Sequence, residues 1–338
     1  MKKNRLLLFL LLAMPFAISA QDLGELLEGN AADAKYLSEG YISPMMKALG
    51  YGLNQGWYNT AKPHNFPGFD LTLSVNPVFV PAVDKIFKVD NNKLSSFYLS
   101  RDMDGKTIGA TETGNIPTVL GADKNTTYTM KAPSVGSFGG PTGIGIGFFP
   151  TPTLNLGIGL PKGTDLKIRF VPTLDFDKMT GGELDGSFGL FGVGIMHDFK
   201  QWIPGIKQLP FDLSVFAGYT KMKLDIAVPE GGTNGKTQLS SSATTVQVLI
   251  SKKLSVFTPY AGVGVNMAKT ELALKGDYDF DNNATTAPTK DPFKFTADSG
   301  GPRATVGFRL KFGPITLHGD YTLAKYNAAS AGLGIAVR

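Results

Sequence analysis

From Phe69 to the C-terminus the chain repeats one device: apolar residues at every second position, opposed by small or polar ones. Phe69, Leu71, Leu73 and Val75 alternate with Asp70, Thr72, Ser74 and Asn76. A β-strand points successive side chains to opposite faces, so a period of two marks a strand with one apolar and one polar side. The pattern returns over residues 154–160, 166–170, 191–195, 213–219, 246–250, 263–267, 304–310, 315–321 and 333–337. Spanning strands in a tilted barrel need about 9–11 residues, which each of these segments can supply with its flanks. The expected fold is therefore all-β: a transmembrane antiparallel up-and-down β-barrel of about 10 strands, with 12–14 as the alternative count.

The connections support a membrane barrel over a soluble sandwich. They alternate between short (161–164, 252–255, 311–314) and long and polar (177–185, 230–239, 276–292), the asymmetry of outer-membrane barrels. Residues 197–209 are expected to form a stub on the short side, with Trp202 and Ile203 at the membrane surface. The polar face is mostly Gly, Thr, Ser and Asn, which suits a narrow lumen shared by side chains. Phe149, Phe170, Phe176, Tyr219, Tyr260, Phe308, Phe312 and Tyr321 lie near strand ends and are expected to form interfacial girdles. Residues 82–141 break the rhythm and are expected to be a large external insertion with one strand at 94–100.

The first residues bear on the compartment. Lys2, Lys3 and Arg5 precede an apolar run at 6–18 and the small pair Ser19-Ala20, the layout of a cleaved signal peptide over 1–20. Its removal lowers the formal net charge from +5 to +2, which leaves no basic excess for nucleic acid. The chain holds 0 Cys, which excludes disulfides and thiolate chemistry and leaves sheet closure to stabilise an exported protein. Residues 21–67 read as a helical N-terminal segment, with a helix start at Ser43-Pro44, and 68–338 as the barrel.

At 197–215, which begins His197-Asp198-Phe199-Lys200-Gln201-Trp202-Ile203-Pro204-Gly205, at 157–165 and at 218–221 the sequence resembles uncharacterised outer-membrane β-barrel proteins of the Bacteroidota. The resemblance implies location and barrel fold and carries no functional residues. A looser similarity to fatty-acid-transporter barrels, which also place a helical N-terminus before the first strand, is analogy alone.

Charges of the polar face assign Lys167, Arg169, Asp212, Arg303, Arg309, His318 and Asp320 to the lumen. Asp22, Glu25, Glu28, Asp33 and Glu39 make the N-terminal segment acidic, so it is expected either to dock as a plug against the lumen cations or to hang as a flexible periplasmic tail. His318 and Asp320 share one strand face, as a base and its orienting carboxylate would, but no serine motif points at them. Asp277, Asp279 and Asp281 imitate the start of a calcium loop, although Asn282 replaces the turn glycine and Pro288 the last ligand. The glycines of 143–147 are strand or loop residues, because no helix pattern follows them. No catalytic residue and no cofactor are expected, and the protein is read as a non-enzyme. The expected partners are outer-membrane lipid, the outer-membrane assembly machinery and a small-molecule solute. The expected function is a passive channel or transporter for a small solute or hydrophobic compound, the alternative being a plugged structural or surface-interaction barrel.

Overall fold

The computed structural model describes residues 31–180, 185–227, 235–278, 289–291 and 293–337. The signal-type segment 1–20 lies outside the described residues. Helix α1 (Ala31–Leu53) leads into an irregular stretch and then β1 (Phe69–Phe79). Five short strands follow: β2 (Ile86–Asp90), β3 (Phe97–Arg101), β4 (Thr113–Pro117), β5 (Thr127–Met130) and β6 (Ser137–Gly139). The chain continues as β7 (Phe148–Leu160), β8 (Thr164–Asp175), β9 (Gly186–Asp198), β10 (Asp212–Ala227), β11 (Lys236–Ser251) and β12 (Phe257–Lys275). A small hairpin, β13 (Asp277–Tyr278) and β14 (Thr289–Lys290), precedes β15 (Lys294–Phe312), β16 (Ile315–Leu323) and β17 (Ala328–Val337).

Ten of these strands, β1, β7–β12 and β15–β17, close into one barrel. Each pairs antiparallel with its neighbour in the chain, and β1 closes the ring against β17 through Phe69↔Val337 and Leu73↔Leu333. The barrel is thus up-and-down with ten strands, as the alternation predicts. The tight turns 161–163, 252–256 and 313–314 gather at one end with the 199–211 connection, the start of β1 and the end of β17, while the short β16–β17 turn lies at the other end. The long connections, 80–147 included, gather at the other. Trp202 is exposed at the tight-turn end.

Around the half nearer the tight turns the outward residues are apolar and exposed: Val193 and Ile195 on β9, Val246, Val248 and Ile250 on β11, Val263, Val265 and Met267 on β12. Beyond that belt β9–β12 and β15 continue, and the two faces exchange chemistry. Outward positions become Lys221, Lys223, Ser240, Lys269 and Thr296, while Leu190, Met222, Leu224, Leu239, Leu272 and Phe295 turn inward and are buried. Lys269 and Lys294 bracket Glu271 at 3.3 and 3.2 Å on this outer surface. A sheet with a polar outside and an apolar inside belongs in water. The belt below is its inverse, which belongs in hydrocarbon.

The apolar upper interior receives α1. Ala34, Tyr41, Ile42, Met45, Met46, Leu49, Tyr51 and Leu53 are all buried, so the helix is wrapped nearly all round and carries no strong amphipathic stripe. It runs through Pro44 instead of starting there. Packing on every side overrides the local preference, since Leu37 lies in a second core with Val89, Phe97, Leu99 and Tyr128. That second core belongs to the insertion, which is a folded unit: β2 pairs with β4, and β5 lies between β3 and β6. Strands of three to five residues are too short to display alternation, which explains why only β3 is foreshadowed in the sequence.

Of the aromatics expected in girdles, Phe170, Tyr219, Phe308, Phe312 and Tyr321 are exposed on the outside of the barrel. The expectation fails for Phe149, Phe176 and Tyr260, which are buried. Phe149 and Phe176 pack inward into the core around α1, and Tyr260 points into the lumen to reach Asp320.

Candidate functional site

The lumen is the site, and the chain's own N-terminal segment occupies it from end to end. Residue 33 sits at the loop end, where the Asp33 carboxylate accepts from the backbone N–H of Ser95 and Ser96 at 2.9 and 2.7 Å. Descending, the Tyr51 ring stacks on Tyr326 of the β16–β17 turn, centroids 5.1 Å apart. At the tight-turn end, the His64 backbone N–H and Nδ1 both meet Asp165, each at 2.9 Å. The segment then reverses into β1.

Mid-lumen, the end of α1 meets two guanidinium groups. The last carbonyls of a helix lack intrahelical partners and carry partial negative charge. Arg169 donates to Leu53 O at 2.7 Å, to Gln55 O, and to Asn155 Oδ1 at 2.5 Å. Arg303 donates to Asn54 O at 2.9 Å and to Gln55 Oε1 at 2.8 Å. A buried cation is costly unless its donors are satisfied. Here the end of the plug helix supplies part of the acceptors and wall side chains supply others, Asn155 to Arg169 and Asn266, Thr305 and Thr322 to Arg303, while Arg303 Nε keeps no partner among the described residues. The Arg169 guanidinium also lies 3.7 Å from the Trp57 ring centroid, a contact strengthened by desolvation.

Below this clamp the plug is fixed by neutral contacts. Tyr58 donates to Gln247 Oε1 at 2.5 Å, Ser214 donates to Ala61 O at 2.6 Å, and Ala61 N–H donates to Ser251 Oγ at 3.1 Å. A charged floor follows. Lys167 Nζ lies 3.6 Å from both Asp70 and Asp165, and His64 Nε2 lies 3.5 Å from Asp70. The small residues of the lumen wall make room for the plug. A Cβ added to Gly194 or Gly218 would sit 3.2 or 2.9 Å from the Trp57 indole and about as near to Phe216.

Lys167, Arg169, Arg303 and Arg309 all face inward and are buried, and Asp212 accepts from Ser251 Oγ at 3.2 Å. His318 and Asp320 do not join as a base and its orienter. His318 Nε2 lies 3.3 Å from Ser74 Oγ, while Asp320 accepts from Tyr260 at 2.8 Å. The plug docks, and among the described residues Arg169 and Arg303 take its backbone carbonyls rather than a carboxylate, while Asp33 binds the insertion. Asp22, Glu25 and Glu28 lie outside the described residues. So do Asp279 and Asp281 of the calcium candidate, while the backbone of Asp277 stands opposite Lys290 in the β13–β14 ladder. Among the described residues no three acidic or histidine side chains gather to hold a metal.

Sequence reasoning missed Trp57, His64, Asp70 and Asp165. Their signals were present: charges at the first polar-face positions of β1 and β8, and the run Asn54-Gln55-Gly56 closing a helical pattern.

The fold and site define a ten-stranded up-and-down barrel closed by its own N-terminal helix. The chain belongs to a family of unknown function, DUF6588, whose profile matches residues 1–337. Among solved structures, the translocator domain of autotransporter NalP from Neisseria meningitidis is 10% identical, with 87% of this chain and 93% of that chain covered at a TM-score of 0.33. The toluene transporter TbuX of Ralstonia pickettii is 8% identical, with 89% and 98% covered at 0.24. Ail, the attachment invasion locus protein of Yersinia pestis, is 8% identical, with 44% and 82% covered at 0.24. No curated protein matches the chain.

Proposed function

We propose that the protein is an outer-membrane β-barrel of a Gram-negative cell, exported behind a cleaved signal peptide, that is shut by its own plug and acts at the cell surface. On this reading the insertion and the start of α1 form the outward-facing interaction surface. Membrane placement is supported by the belt. From Pro259 to Met267 the outward run of β12 rises about 21 Å at a typical barrel tilt, close to the height of a hydrocarbon band. The tight-turn end then faces the periplasm, and the partners are outer-membrane lipid and the machinery that inserts barrels.

The observation that carries the closed reading is the filled lumen: residues 31–64 traverse it, held by buried Arg169 and Arg303. A passive channel for a small solute, which the sequence favoured narrowly, requires that clamp to open. Conductance in planar bilayers tests the choice. The intact protein is expected to stay closed, and steady open-channel current from it would return transport to first place.

A further inference from the structure

We propose a binding site for a phosphorylated amphiphile in a notch of the barrel wall at Gly300–Gly301. The proposal rests on the membrane placement above. A cavity of about 570 Å³ lies here. It draws on both faces of the wall: Tyr51, Lys47 and Ser299 from inside, Met267 and Lys269 from outside.

The notch follows from strand lengths. β16 ends at Leu323, opposite Ala304, so β15 from Lys294 to Arg303 has no partner on that side. The Tyr51 hydroxyl takes the missing partner's place, donating to Gly300 O at 2.6 Å and accepting from Gly300 N–H at 3.2 Å. Gly300 and Gly301 bring no side chains to fill the gap, and a Cβ at Gly301 would meet nothing within 4 Å.

The lining selects the ligand. Three ammonium groups, Lys47, Lys269 and Lys325, and one carboxylate, Asp298, line it, and Lys269 is already paired with Glu271 at 3.3 Å. Lys47 and Lys325 take part in none of the ion pairs among the described residues. Asn266 Nδ2 and Ser299 Oγ are buried without a hydrogen-bond partner there, and both line the cavity. These are donors for an anion's oxygens, phosphate above all. The height adds the tail. On β12 the outward residues run Val263, Val265, Met267 and then Lys269, so the mouth lies at the upper edge of the apolar belt. A headgroup at the lysines leaves acyl chains lying along Met267 and Val265.

Purified full-length protein in neutral detergent is examined by native mass spectrometry with three probes: phosphatidic acid, diacylglycerol of the same chains, and inorganic phosphate. Phosphatidic acid is expected to be retained and the other two are not. Lys47→Ala with Lys325→Ala should weaken retention at least about tenfold, as two charge-assisted contacts are lost. Lys253→Ala at the opposite end should not. Thr244→Trp, which narrows the mouth from outside, should also reduce retention. Equal retention of diacylglycerol, phosphate binding as tightly as the lipid, or an unchanged double variant would each overturn the site. The membrane reading is judged separately, by whether extraction needs detergent at all.

Discussion

Replacing Arg169 by alanine should release the plug while leaving the barrel closed upon itself. Arg169 is 0% exposed and makes three hydrogen bonds, two of them to the plug. Each charge-assisted bond contributes about 1.5–3 kcal/mol, and the desolvated contact with Trp57 about 2 kcal/mol. Against this, alanine removes a buried cation whose desolvation costs several kcal/mol. The Gln55 carbonyl loses its donor, whereas Leu53 O keeps the Thr220 hydroxyl at 3.4 Å. Removing one member of such a buried network costs about 3–5 kcal/mol, or roughly two to four decades in the docking equilibrium. The loss falls on docking because the ladders of β7, β8 and β9 do not involve the guanidinium. Planar-bilayer conductance and limited proteolysis of residues 31–64 read it directly. Current should appear and the plug should become cleavable, while the folded barrel still migrates as a compact species on semi-native gels. Arg169→Lys should rescue only in part, since an ammonium cannot reach three acceptors as a planar fork does. A variant as closed and as protease-resistant as the wild type would refute the clamp.

Further outcomes follow from other parts of the molecule. Val263→Arg, outward in the belt, should destabilise the barrel by about 2–4 kcal/mol in lipid refolding titrations, while Thr296→Arg, outward above the belt, should be nearly silent. Asp33→Ala removes the acceptor for the Ser95 and Ser96 amides and should raise hydrogen exchange at both without opening the lumen. Burial raises the Tyr128 phenol well above its ordinary value, and its hydroxyl has no hydrogen-bond partner among the described residues. Tyr128→Phe should therefore be neutral or stabilising. Because the folded-state value is raised, the tyrosine's share of stability is whole at neutral pH and is lost only as pH climbs above about 10. The variant should lose stability less steeply than the wild type in that range.

The barrel was legible because lipid enforces one rule on every strand. Val193, Val246, Val263 and Val306 each stand in an alternating run, and ten such runs correspond to the ten barrel strands. The upper wall was legible in principle but runs against the same rule. Leu224, Leu239 and Leu272 occupy the parity opposite to Val215, Val246 and Val263, and that switch marks the end of the belt. Lys167, Arg169, Arg303 and Arg309 are buried at the polar parity of their strands, but that parity does not name their partners. A guanidinium bound to a helix terminus leaves no acidic residue to find in the sequence, and the pairing of Asp70 with Lys167 joins strands 97 residues apart. The insertion was opaque because its strands are short and its core borrows Leu37 from α1.

The central claim is that the N-terminal segment crosses the lumen from the outer to the inner face, and single-cysteine labelling on intact cells tests it most directly. The chain has 0 cysteines, so the background is clean. Lys35 is exposed near the start of α1, and Lys253 is exposed in the β11–β12 turn at the opposite end. A membrane-impermeant maleimide should label Lys35→Cys on intact cells and Lys253→Cys only after the outer membrane is opened. Both sites protected until permeabilisation would contradict the threaded plug, and labelling of Lys253→Cys from outside would contradict the orientation of the barrel around it.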